Sequence, residues 1–380
     1  MNIVYLDWAA TAIPDKEILM EACRMELKYF ANPSSIHSLG MEASGLLRED
    51  RETLSRLIGC SENQIIFTSG GTESNNTVFR GFLQKKIKPG ILISGIEHAS
   101  VFEPASVMKQ AGCEVKIVKA DDKGFVHPEK IAGALNDKTV LVSVMHVNNE
   151  TGAVQPVREI AEAVRNFSRA HGRAIHIHSD CVQSFGKIPF SIPDLMVDSA
   201  SFSAHKLSGP KGIGALYCKK ESIPPLLTGG FQEGNKRAGT EAAGLIHGFV
   251  RAAEKRISQM DSELSNAEFI KTMLLEGLSR ISGSVLCGED AGNYSPYITM
   301  VSFPPIPGEV LVRVLSDRGF AVSAGSACSA KNLKQSRVLK NMGLSPKIAS
   351  SSIRISTGYT TKPEDIIYFL QILSEETRKL

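Results

Sequence analysis

The chain has 380 residues, of which 42% are hydrophobic and 22% are charged, a composition that fits a globular protein and excludes a disordered or fibrous one. Lys and Arg number 43 and Asp and Glu number 40, so the net charge of +3 does not indicate a nucleic-acid groove or a polybasic membrane surface. The seven cysteines are widely spaced, which disfavours a disulfide framework or a cysteine-rich zinc site. With no signal-peptide pattern and no long apolar run, a cytoplasmic, reducing location is expected, with neither a membrane nor a nucleic acid as partner.

Helix-like and strand-like patterns alternate through the first 240 residues. Asp15 is a candidate N-cap for a helix in which apolar residues between Ile18 and Tyr29 recur every three or four positions. Another helical pattern covers residues 157–171. Short apolar runs typical of buried strands occupy residues 65–68, 91–94, 115–118, 140–145, 175–179, 200–203 and 213–217. This alternation predicts an α/β fold with a mixed, largely parallel sheet.

The pattern changes after about residue 240. A long helical stretch is followed by strand-like runs at residues 285 and 298–303, by a helix after Gly308 and by a charged C-terminal helix from Pro363. Because the helices and strands no longer alternate regularly, this order predicts a second, smaller α+β domain.

A glycine-rich turn follows the first predicted core strand. Residues 67–76 read FTSGGTESNN, so Gly71 and Thr72 stand where a strand gives way to a helix. Glycine lets the backbone approach an anion, and the amides and a hydroxyl at a helix N-terminus can donate hydrogen bonds to a phosphate. A plain strand-to-helix turn explains the same residues, because neither a GxGxxG motif nor a P-loop lysine is present. The turn alone leaves both interpretations open.

Three ionisable side chains alternate at the end of the predicted strand at residues 175–179. His176, His178 and Asp180 would share one face of an extended strand, an arrangement that could bind a metal. A capped strand end with satisfied polar groups is a second interpretation. In a third, the Asp180 carboxylate lies against a cationic heterocycle nitrogen. The segment alone does not decide among the three.

Lys206 lies between a predicted strand and the turn at Gly209 and Pro210. A lysine there could form a Schiff base, and the neighbouring hydroxyl and imidazole groups could bind a phosphate. An ordinary surface lysine is the alternative, and it is weakened because Lys206 follows Asp180 by 26 residues and both are expected at one sheet edge. Phosphate donors, an acid for a ring nitrogen and a reactive lysine together describe a pyridoxal phosphate site.

These parts occur in the chain order of fold-type I pyridoxal phosphate enzymes, and the sequence resembles the cysteine desulfurases, in the branch that serves iron-sulfur cluster assembly and thiolation. The resemblance covers nearly the whole chain. Its segments are YLD at 5–7, NPSSIH at 32–37, the turn at 68–76, EH at 97–98, HVNNETG at 146–152, the Asp180 and Lys206 segments, RAGT at 237–240 and SAC at 326–328.

The resemblance implies a particular domain organisation. A large cofactor-binding domain, residues 15–250, is expected to contain a mostly parallel seven-stranded sheet. A smaller α+β domain, residues 1–14 and 251–380, is expected to carry the catalytic cysteine loop.

The resemblance also implies roles for residues around the cofactor ring. Lys206 matches the Schiff-base lysine, which also carries protons between the substrate and the cofactor. Asp180 matches the partner of the pyridine nitrogen, and Gln183 matches the residue that hydrogen-bonds the phenolic oxygen. His98 matches the residue that stacks on the ring and exchanges protons, where a satisfied core histidine would otherwise be the simpler explanation.

Other residues match the family's phosphate and substrate contacts. The resemblance assigns the cofactor phosphate to Gly71, Thr72, Ser203 and His205, with Thr240 reaching in from the second subunit of a homodimer. Asn149 and Arg354 match the residues that orient the substrate carboxylate, for which a guanidinium is well shaped.

Cys328 matches the family's nucleophile. It lies in a stretch of small residues, SAGSACSA at 323–330, which predicts a mobile loop. In the family this cysteine attacks the sulfur of the substrate, which requires a thiolate and hence a lowered pKa or a proton acceptor such as His98. The segment at 330–352 matches the branch whose long loop delivers sulfur to partner proteins.

The sequence departs from the usual family pattern at several positions. Trp8 stands where Asn or Tyr is usual, and Phe231 and Gly234 replace a glycine and an arginine. Tyr359 stands where arginine is frequent. These positions belong to the domain junction and the dimer surface, so stability or partner choice is affected more than chemistry. The chain also ends at Leu380 without the longer tail that docks a cluster scaffold in some members, which makes a dedicated scaffold the weaker expectation.

The resulting prediction is a homodimeric cysteine desulfurase with pyridoxal 5'-phosphate and no metal. It converts L-cysteine to L-alanine and leaves a persulfide on Cys328, which passes to a sulfur acceptor for iron-sulfur cluster assembly or for tRNA or cofactor thiolation. The alternatives are another fold-type I enzyme, such as an aminotransferase or a selenocysteine or sulfinate lyase, and a non-catalytic partner protein of the same fold.

Overall fold

The computed structural model describes residues 3–83, 88–219, 223–288, 293–325 and 336–380. Its strands are β1 (Val4–Tyr5), β2 (Ile65–Thr68), β3 (Gly90–Ser94), β4 (Glu114–Val118), β5 (Thr139–Ser143), β6 (His176–Asp180), β7 (Ser199–Ser203), β8 (Gly214–Cys218), β9 (Val285–Leu286), β10 (Ile298–Ser302), β11 (Phe320–Ala321), β12 (Ser323–Ala324) and β13 (Ser352–Ser356).

Helices connect most of these strands. They are α1 (Lys16–Lys28), α2 (Ser38–Ile58), α3 (Gly71–Leu83), α4 (Ala99–Gln110), α5 (Pro128–Ala134), α6 (Val157–Ala170), α7 (Ile192–Leu195), α8 (Gln232–Asn235), α9 (Ala243–Ser258), α10 (Met260–Ser279), α11 (Gly308–Asp317), α12 (Arg337–Asn341), α13 (Pro346–Ser350) and α14 (Pro363–Lys379). Two short 3-10 helices cover Glu62–Gln64 and Ala204–Lys206.

The largest sheet has seven strands in the order β2-β8-β7-β6-β5-β3-β4. Within this sheet β8 runs antiparallel to its neighbours β2 and β7, and the remaining neighbours pair in parallel. The mostly parallel seven-stranded sheet of an α/β fold is therefore confirmed. Each of the seven apolar runs coincides with one of these strands to within two residues. The agreement is best explained for a strand such as β3, which is buried along its whole length and has a continuous apolar sequence.

Different helices cover the two faces of this sheet. Along β3, Ile91 and Ile93 join a cluster with α3 and α4, whereas Leu92 joins the larger cluster that includes α2, α5, α6 and α9. Successive side chains of a strand point to opposite faces, so one short strand contributes to both clusters. The edge strand β4 carries Glu114 and Lys116, charges that suit an exposed edge.

A second group of elements surrounds an antiparallel sheet in the order β12-β13-β10-β9. Apolar residues of α10, α11 and α14 pack on it, among them Leu274, Leu311 and Phe369. The N-terminal segment joins this group, because β1 pairs in parallel with β11 and Leu6 is buried in the same cluster. The division of the chain into domains at residues 14 and 250 stays a prediction. In the described part of the chain, no helix has the length and apolarity needed to cross a bilayer.

Candidate active site

One cavity of about 420 Å³ opens at the carboxyl ends of the parallel strands, the usual position for a ligand site in such a sheet. Ten of the predicted site residues line it: Gly71, Thr72, His98, Asn149, Asp180, Gln183, Ser203, His205, Lys206 and Arg354. They come from five separate segments of the large sheet and from β13 of the smaller one. The sequence-based selection therefore converges on a single place in the fold.

Two predicted site residues are not among these ten. Cys328 lies outside the described residues. Thr240 is described, and it is exposed and does not line the cavity in this single chain. This position agrees with a residue that would act in another subunit, but that role stays a prediction.

The glycine-rich turn forms one end of the cavity. Helix α3 begins at Gly71, so its first backbone N–H groups have no acceptor within the helix. A Cβ atom at Gly71 would lie 2.7 Å from Cγ2 of Val182, which explains why a glycine is needed here. Thr72, Ser203 and His205 line the same cavity. Burial, with the charge of Lys206 nearby, lowers the pKa of His205 to about 4.

Asp180 ends strand β6 with its carboxylate buried. Its Oδ1 accepts a hydrogen bond from the backbone N–H of Val182 at 3.0 Å, and its Oδ2 accepts one from Nδ2 of Asn75 at 2.8 Å. A carboxylate held in this way by two neutral donors can still attract a protonated ring nitrogen, because neither donor neutralises its charge.

His98 is the N-cap of helix α4. Its Nδ1 accepts a hydrogen bond from the backbone N–H of Ser100 at 3.2 Å and lies 2.7 Å from the Ser100 hydroxyl. Burial lowers the pKa of His98, with the Lys206 charge contributing in the same direction and Asp180 opposing it. The ring that borders the cavity is therefore neutral near neutral pH.

Lys206 follows β7 directly, in the 3-10 turn at Ala204–Lys206. Its Nζ donates hydrogen bonds to the carbonyl oxygens of Ala9 and Ala10, the latter at 2.7 Å. Gln183 donates from Nε2 to the same Ala9 oxygen at 2.9 Å. Its Oε1 accepts from Nζ of Lys187 at 2.9 Å, and burial beside Lys206 and Arg354 lowers the pKa of Lys187 to about 7. Lys187 belongs to none of the sequence motifs that predict the site.

Arg354 reaches the cavity from β13 and is buried. Its Nη2 forms an ion pair with Oδ1 of Asp7 at 2.8 Å, and its Nη1 donates to the carbonyl oxygen of Asn149 at 2.8 Å. The Ser323 hydroxyl donates to the same Asp7 oxygen at 2.8 Å. Asp7 belongs to the YLD segment at 5–7 that carries the family resemblance, but the sequence alone predicts no role for it. A buried arginine requires a nearby acid, so the predicted position of Arg354 in the site could have indicated that an acidic partner such as Asp7 lies beside it.

The alternative metal site does not form from the strand β6 residues. The rings of His176 and His178 both contact the Ser199 hydroxyl at 2.8 Å, and His178 also contacts Asn75. Within the described residues, no group of three His, Cys, Asp or Glu side chains is placed to hold a metal ion.

The arrangement fits pyridoxal phosphate. The helix N-terminus and the space left by Gly71 suit a phosphate, the buried Asp180 suits a cationic ring nitrogen, and Lys206 suits an aldehyde. All of these groups border one cavity.

Comparisons with known proteins agree with this arrangement. Residues 4–369 match the aminotransferase class-V family. The chain is 39% identical to cysteine desulfurase IscS of Dictyoglomus turgidum, over 99% of this chain and 95% of that protein. It is 35% identical to the mitochondrial cysteine desulfurase of Saccharomyces cerevisiae, over 99% of this chain and 75% of the yeast protein.

Solved structures give the same result. A NifS-like protein superposes with a TM-score of 0.92 at 35% identity, over 100% of both chains. A structure described as SspA in complex with cysteine superposes with a TM-score of 0.82 at 30% identity, over 94% of this chain and 99% of that one.

Proposed function

The chain belongs to the aminotransferase class-V family and is a pyridoxal phosphate-dependent cysteine desulfurase, and on this premise we propose that the 420 Å³ cavity is its active site. The observation that carries the proposal is the convergence of ten sequence-selected residues on that one cavity. The relatives do not favour an aminotransferase, a selenocysteine or sulfinate lyase, or a non-catalytic partner of the same fold.

Four residues hold the cofactor ring in this proposal. When bound, pyridoxal phosphate supplies a cationic ring that withdraws electrons from the substrate. Asp180 holds the ring nitrogen in its protonated form, and Gln183 contacts the phenolic oxygen. Lys206 is the covalent attachment point and moves protons to and from the substrate α-carbon through its Nζ, while His98 covers the ring. The buried carboxylate of Asp180 and the cavity positions of the other three support these assignments.

The phosphate is assigned to the opposite end of the site. Gly71 and Thr72 supply donors at the start of α3, and Ser203 and His205 supply a hydroxyl and a neutral imidazole. Thr240 completes the set from a second subunit. Its exposure in the single chain supports this assignment.

The substrate carboxylate is assigned to Arg354 and Asn149. Both residues line the cavity. Nε of Arg354 and Oδ1 of Asn149 are buried, and neither has a hydrogen-bond partner among the described residues. A buried N–H without an acceptor is costly, so the Arg354 Nε–H group suits an incoming carboxylate.

Cys328 is assigned as the nucleophile. Its thiolate attacks the sulfur of L-cysteine, the bond between that sulfur and the substrate β-carbon breaks, and the electron pair of this bond remains with the carbon. Protonation of the β-carbon then gives L-alanine, and the sulfur stays on Cys328 as a persulfide. The sum of the step is one cysteine and one enzyme thiol converted to one alanine and one enzyme persulfide, with no external oxidant.

The six described cysteines are poor alternatives to Cys328. None of these six lines the cavity. Burial raises the pKa of Cys60, Cys181 and Cys287 to about 12, so each stays a thiol at neutral pH. Cys23 is exposed and its thiol is accessible, but it lies on helix α1 and does not line the cavity.

A homodimer and a protein sulfur acceptor complete the proposal. Ile36 and Phe231 are 96% and 86% exposed in the single chain, and large apolar side chains at this exposure suit coverage by another chain. The acceptor belongs to iron-sulfur cluster assembly or to tRNA or cofactor thiolation, and the compartment is the cytoplasm, where a reducing environment keeps the Cys328 thiol available.

The test is the Cys328→Ala variant of the cofactor-loaded protein. We expect loss of sulfide release from L-cysteine, because none of the six described thiols borders the cavity, while the absorbance of the bound cofactor persists. Intact-mass measurement after addition of L-cysteine should show one added sulfur atom on the wild type and none on the variant.

The matched control is Cys23→Ala, which removes an exposed thiol that does not line the cavity. It should retain both sulfide release and the added sulfur atom. Undiminished sulfide release by Cys328→Ala would show that the nucleophile has been assigned to the wrong residue.

A further inference from the structure

A continuous chain of hydrogen bonds runs beneath the cavity from strand β6 to helix α4. At one end, the Ser199 hydroxyl lies 2.8 Å from Nε2 of His176 and 2.8 Å from Nδ1 of His178. Nε2 of His178 lies 2.9 Å from Oδ1 of Asn75. Nδ2 of Asn75 lies 2.8 Å from the Ser100 hydroxyl, which lies 2.7 Å from Nδ1 of His98.

Asp180 fixes the orientation of the Asn75 amide. An ionised carboxylate only accepts hydrogen bonds, so the Asn75 atom 2.8 Å from its Oδ2 must be the amide nitrogen. That nitrogen has two hydrogens, and the second points to the Ser100 hydroxyl. The amide oxygen is thereby left facing His178, and the amide cannot be turned around without placing its oxygen against the carboxylate.

The direction of each hydrogen bond toward β6 follows from that orientation. The Asn75 oxygen can only accept, so Nε2 of His178 carries a proton and donates it. Burial lowers the pKa of His178 to about 3, so the ring is neutral and its Nδ1 accepts from the Ser199 hydroxyl. The Ser199 oxygen in turn accepts from Nε2 of His176.

The directions toward α4 follow in the same way. The Ser100 backbone N–H can only donate, and it lies 3.2 Å from Nδ1 of His98, so that nitrogen carries no proton. The Ser100 hydroxyl, 2.7 Å from the same nitrogen, therefore donates to it, while its oxygen accepts from Asn75. Nδ1 of His98 is therefore an acceptor, and the neutral ring carries its proton on Nε2.

We propose that Asn75 is a positioning residue for His98: by donating to both Asp180 and Ser100, it holds the Ser100 hydroxyl proton directed at Nδ1 of His98 and so reinforces the tautomer that carries its proton on Nε2. Asn75 is fully buried and does not border the cavity as the described residues define it, so it acts through Asp180, Ser100 and His98. In this tautomer His98 offers the cavity a hydrogen-bond donor rather than an acceptor.

The inference deepens the proposed function, because it rests on Asp180 as the group assigned to the ring nitrogen and on His98 as the group assigned to cover the ring. It also gives a chemical reason for an asparagine at position 75. Two N–H groups and one oxygen on a short, planar side chain serve three partners at once, and each of the three is an acceptor or donor of the matching kind.

The direct test is nitrogen NMR of the histidine rings in the cofactor-loaded protein, with the His98 signals assigned by their loss in His98→Gln. We expect the neutral Nε2–H form of His98 in the wild type. A neutral His98 with its proton on Nδ1 would overturn the inference, and this reading needs neither enzymatic activity nor a variant of Asn75.

The second test is Asn75→Asp, which keeps the shape of the side chain and removes both N–H donors. We expect the Ser100 hydroxyl to turn from Nδ1 of His98 to the new side chain, which no longer donates an N–H to it. The Nδ1 signal of His98 should therefore shift, although the Ser100 backbone N–H keeps Nδ1 an acceptor. The absorbance titration of the bound cofactor should move by at least about one pH unit, since a second acid then lies beside Asp180. The kcat should fall at least about tenfold with little change in KM for L-cysteine, whose carboxylate is assigned elsewhere.

Asn76→Asp is the matched control, since Asn76 is the next residue, is only partly buried and donates within its own helix to the carbonyl of Thr72 at 2.9 Å. It should leave the His98 tautomer and the cofactor titration unchanged. If Asn75→Asp retains the wild-type His98 ring-nitrogen signals and the wild-type cofactor titration, Asn75 has no positioning role. If the wild type has the expected tautomer but does not release sulfide from L-cysteine, the proposed function fails and the tautomer assignment stands.

Discussion

Asp7 illustrates how single residues prepare the substrate side of the cavity. Its carboxylate pairs with Arg354 at 2.8 Å and also accepts from Ser323 at 2.8 Å, so it holds the guanidinium that we assign to the substrate. The pair joins the N-terminal segment to strand β13, two parts of the chain 347 residues apart.

Asp7→Asn should destabilise the fold because it leaves the buried Arg354 guanidinium without a charged partner. Removing one partner of a fully buried ion pair costs about 3–5 kcal/mol, and we expect about 2 kcal/mol here because the Asp7 side chain is 20% exposed. Urea unfolding of the two proteins measures the difference. The control is Glu162→Gln in the exposed pair with Arg158, which should change the free energy of unfolding by less than about 1 kcal/mol. Equal effects of the two substitutions would contradict the structural role of Asp7.

Lys187 gives the fold a pH dependence. Its pKa of about 7 in the folded protein lies below the value of about 10.4 for an unfolded lysine, so between these values the unfolded chain binds more protons. The free energy of unfolding should therefore rise with pH over this window. We expect the urea midpoint to increase from about pH 7 to about pH 10 by more in the wild type than in Lys187→Met. The exposed Lys138→Met is the control and should follow the wild type.

At the scale of an element, helix α3 contributes to two parts of the proposed cofactor site. The helix begins at Gly71, against Val182, and the side chain of Asn75 one turn later supports Asp180 and Ser100. One helix therefore presents its N-terminus to the proposed phosphate position and its buried face to the groups beneath the ring.

Gly71→Ala should weaken cofactor binding, because the added Cβ would lie 2.7 Å from Cγ2 of Val182 and would displace the start of the helix. Overpacking of this kind costs about 1–3 kcal/mol, which corresponds to a rise of about 5- to 150-fold in the cofactor Kd. Titration of the apoprotein with pyridoxal phosphate, followed by absorbance, measures it. The double variant Gly71→Ala, Val182→Ala should recover most of the affinity. Gly133→Ala, where nothing lies within 4 Å of the added atom, should have no effect on the Kd.

The sequence predicts the large sheet well and the smaller one poorly, for a physical reason. Strands such as β3 and β5 are buried on both faces, and continuous apolar runs identify them. The two-residue strands β11 and β12 are too short to produce any periodicity. The pairing of β1 with β11 depends on contacts between residues more than 300 positions apart, which no local pattern encodes.

The residues of the candidate site also divide into those that a local sequence motif identifies and those that only contacts between distant segments reveal. Residues such as Lys206 and Asp180 belong to motifs whose order along the chain identifies them. Asn75, Lys187 and the partner role of Asp7 become visible only in three dimensions, because each acts on a residue from a distant segment.

At the scale of the whole molecule, the placement of Thr240 predicts a shared active site. If Thr240 of one subunit completes the site of the other, Lys206→Ala and Thr240→Asp should each be inactive alone and should complement each other in a hybrid dimer. After subunit exchange of an equal mixture, half of the dimers are hybrids with one intact site, so about one quarter of the wild-type activity should return. Sulfide release from the mixture measures it, with unmixed variants as controls. No recovery in a mixture that forms hybrids would place Thr240 in its own subunit's site.

The pairing of β1 with β11 also orders the events of protein synthesis. The carbonyl oxygens of Ala9 and Ala10 that receive Nζ of Lys206 are held in place next to a strand whose partner is Phe320–Ala321. The first residues to leave the ribosome must therefore wait, without their final neighbours, until more than four-fifths of the chain has been translated. The seven strands of the large sheet are all translated by residue 218. This is well before β11 can pair with β1 and fix the carbonyl oxygens of Ala9 and Ala10 beside Lys206. We therefore expect a nascent chain stalled before residue 320 to retain a folded sheet but to bind pyridoxal phosphate more weakly than the full chain, because the carbonyl oxygens that receive Lys206 are not yet fixed.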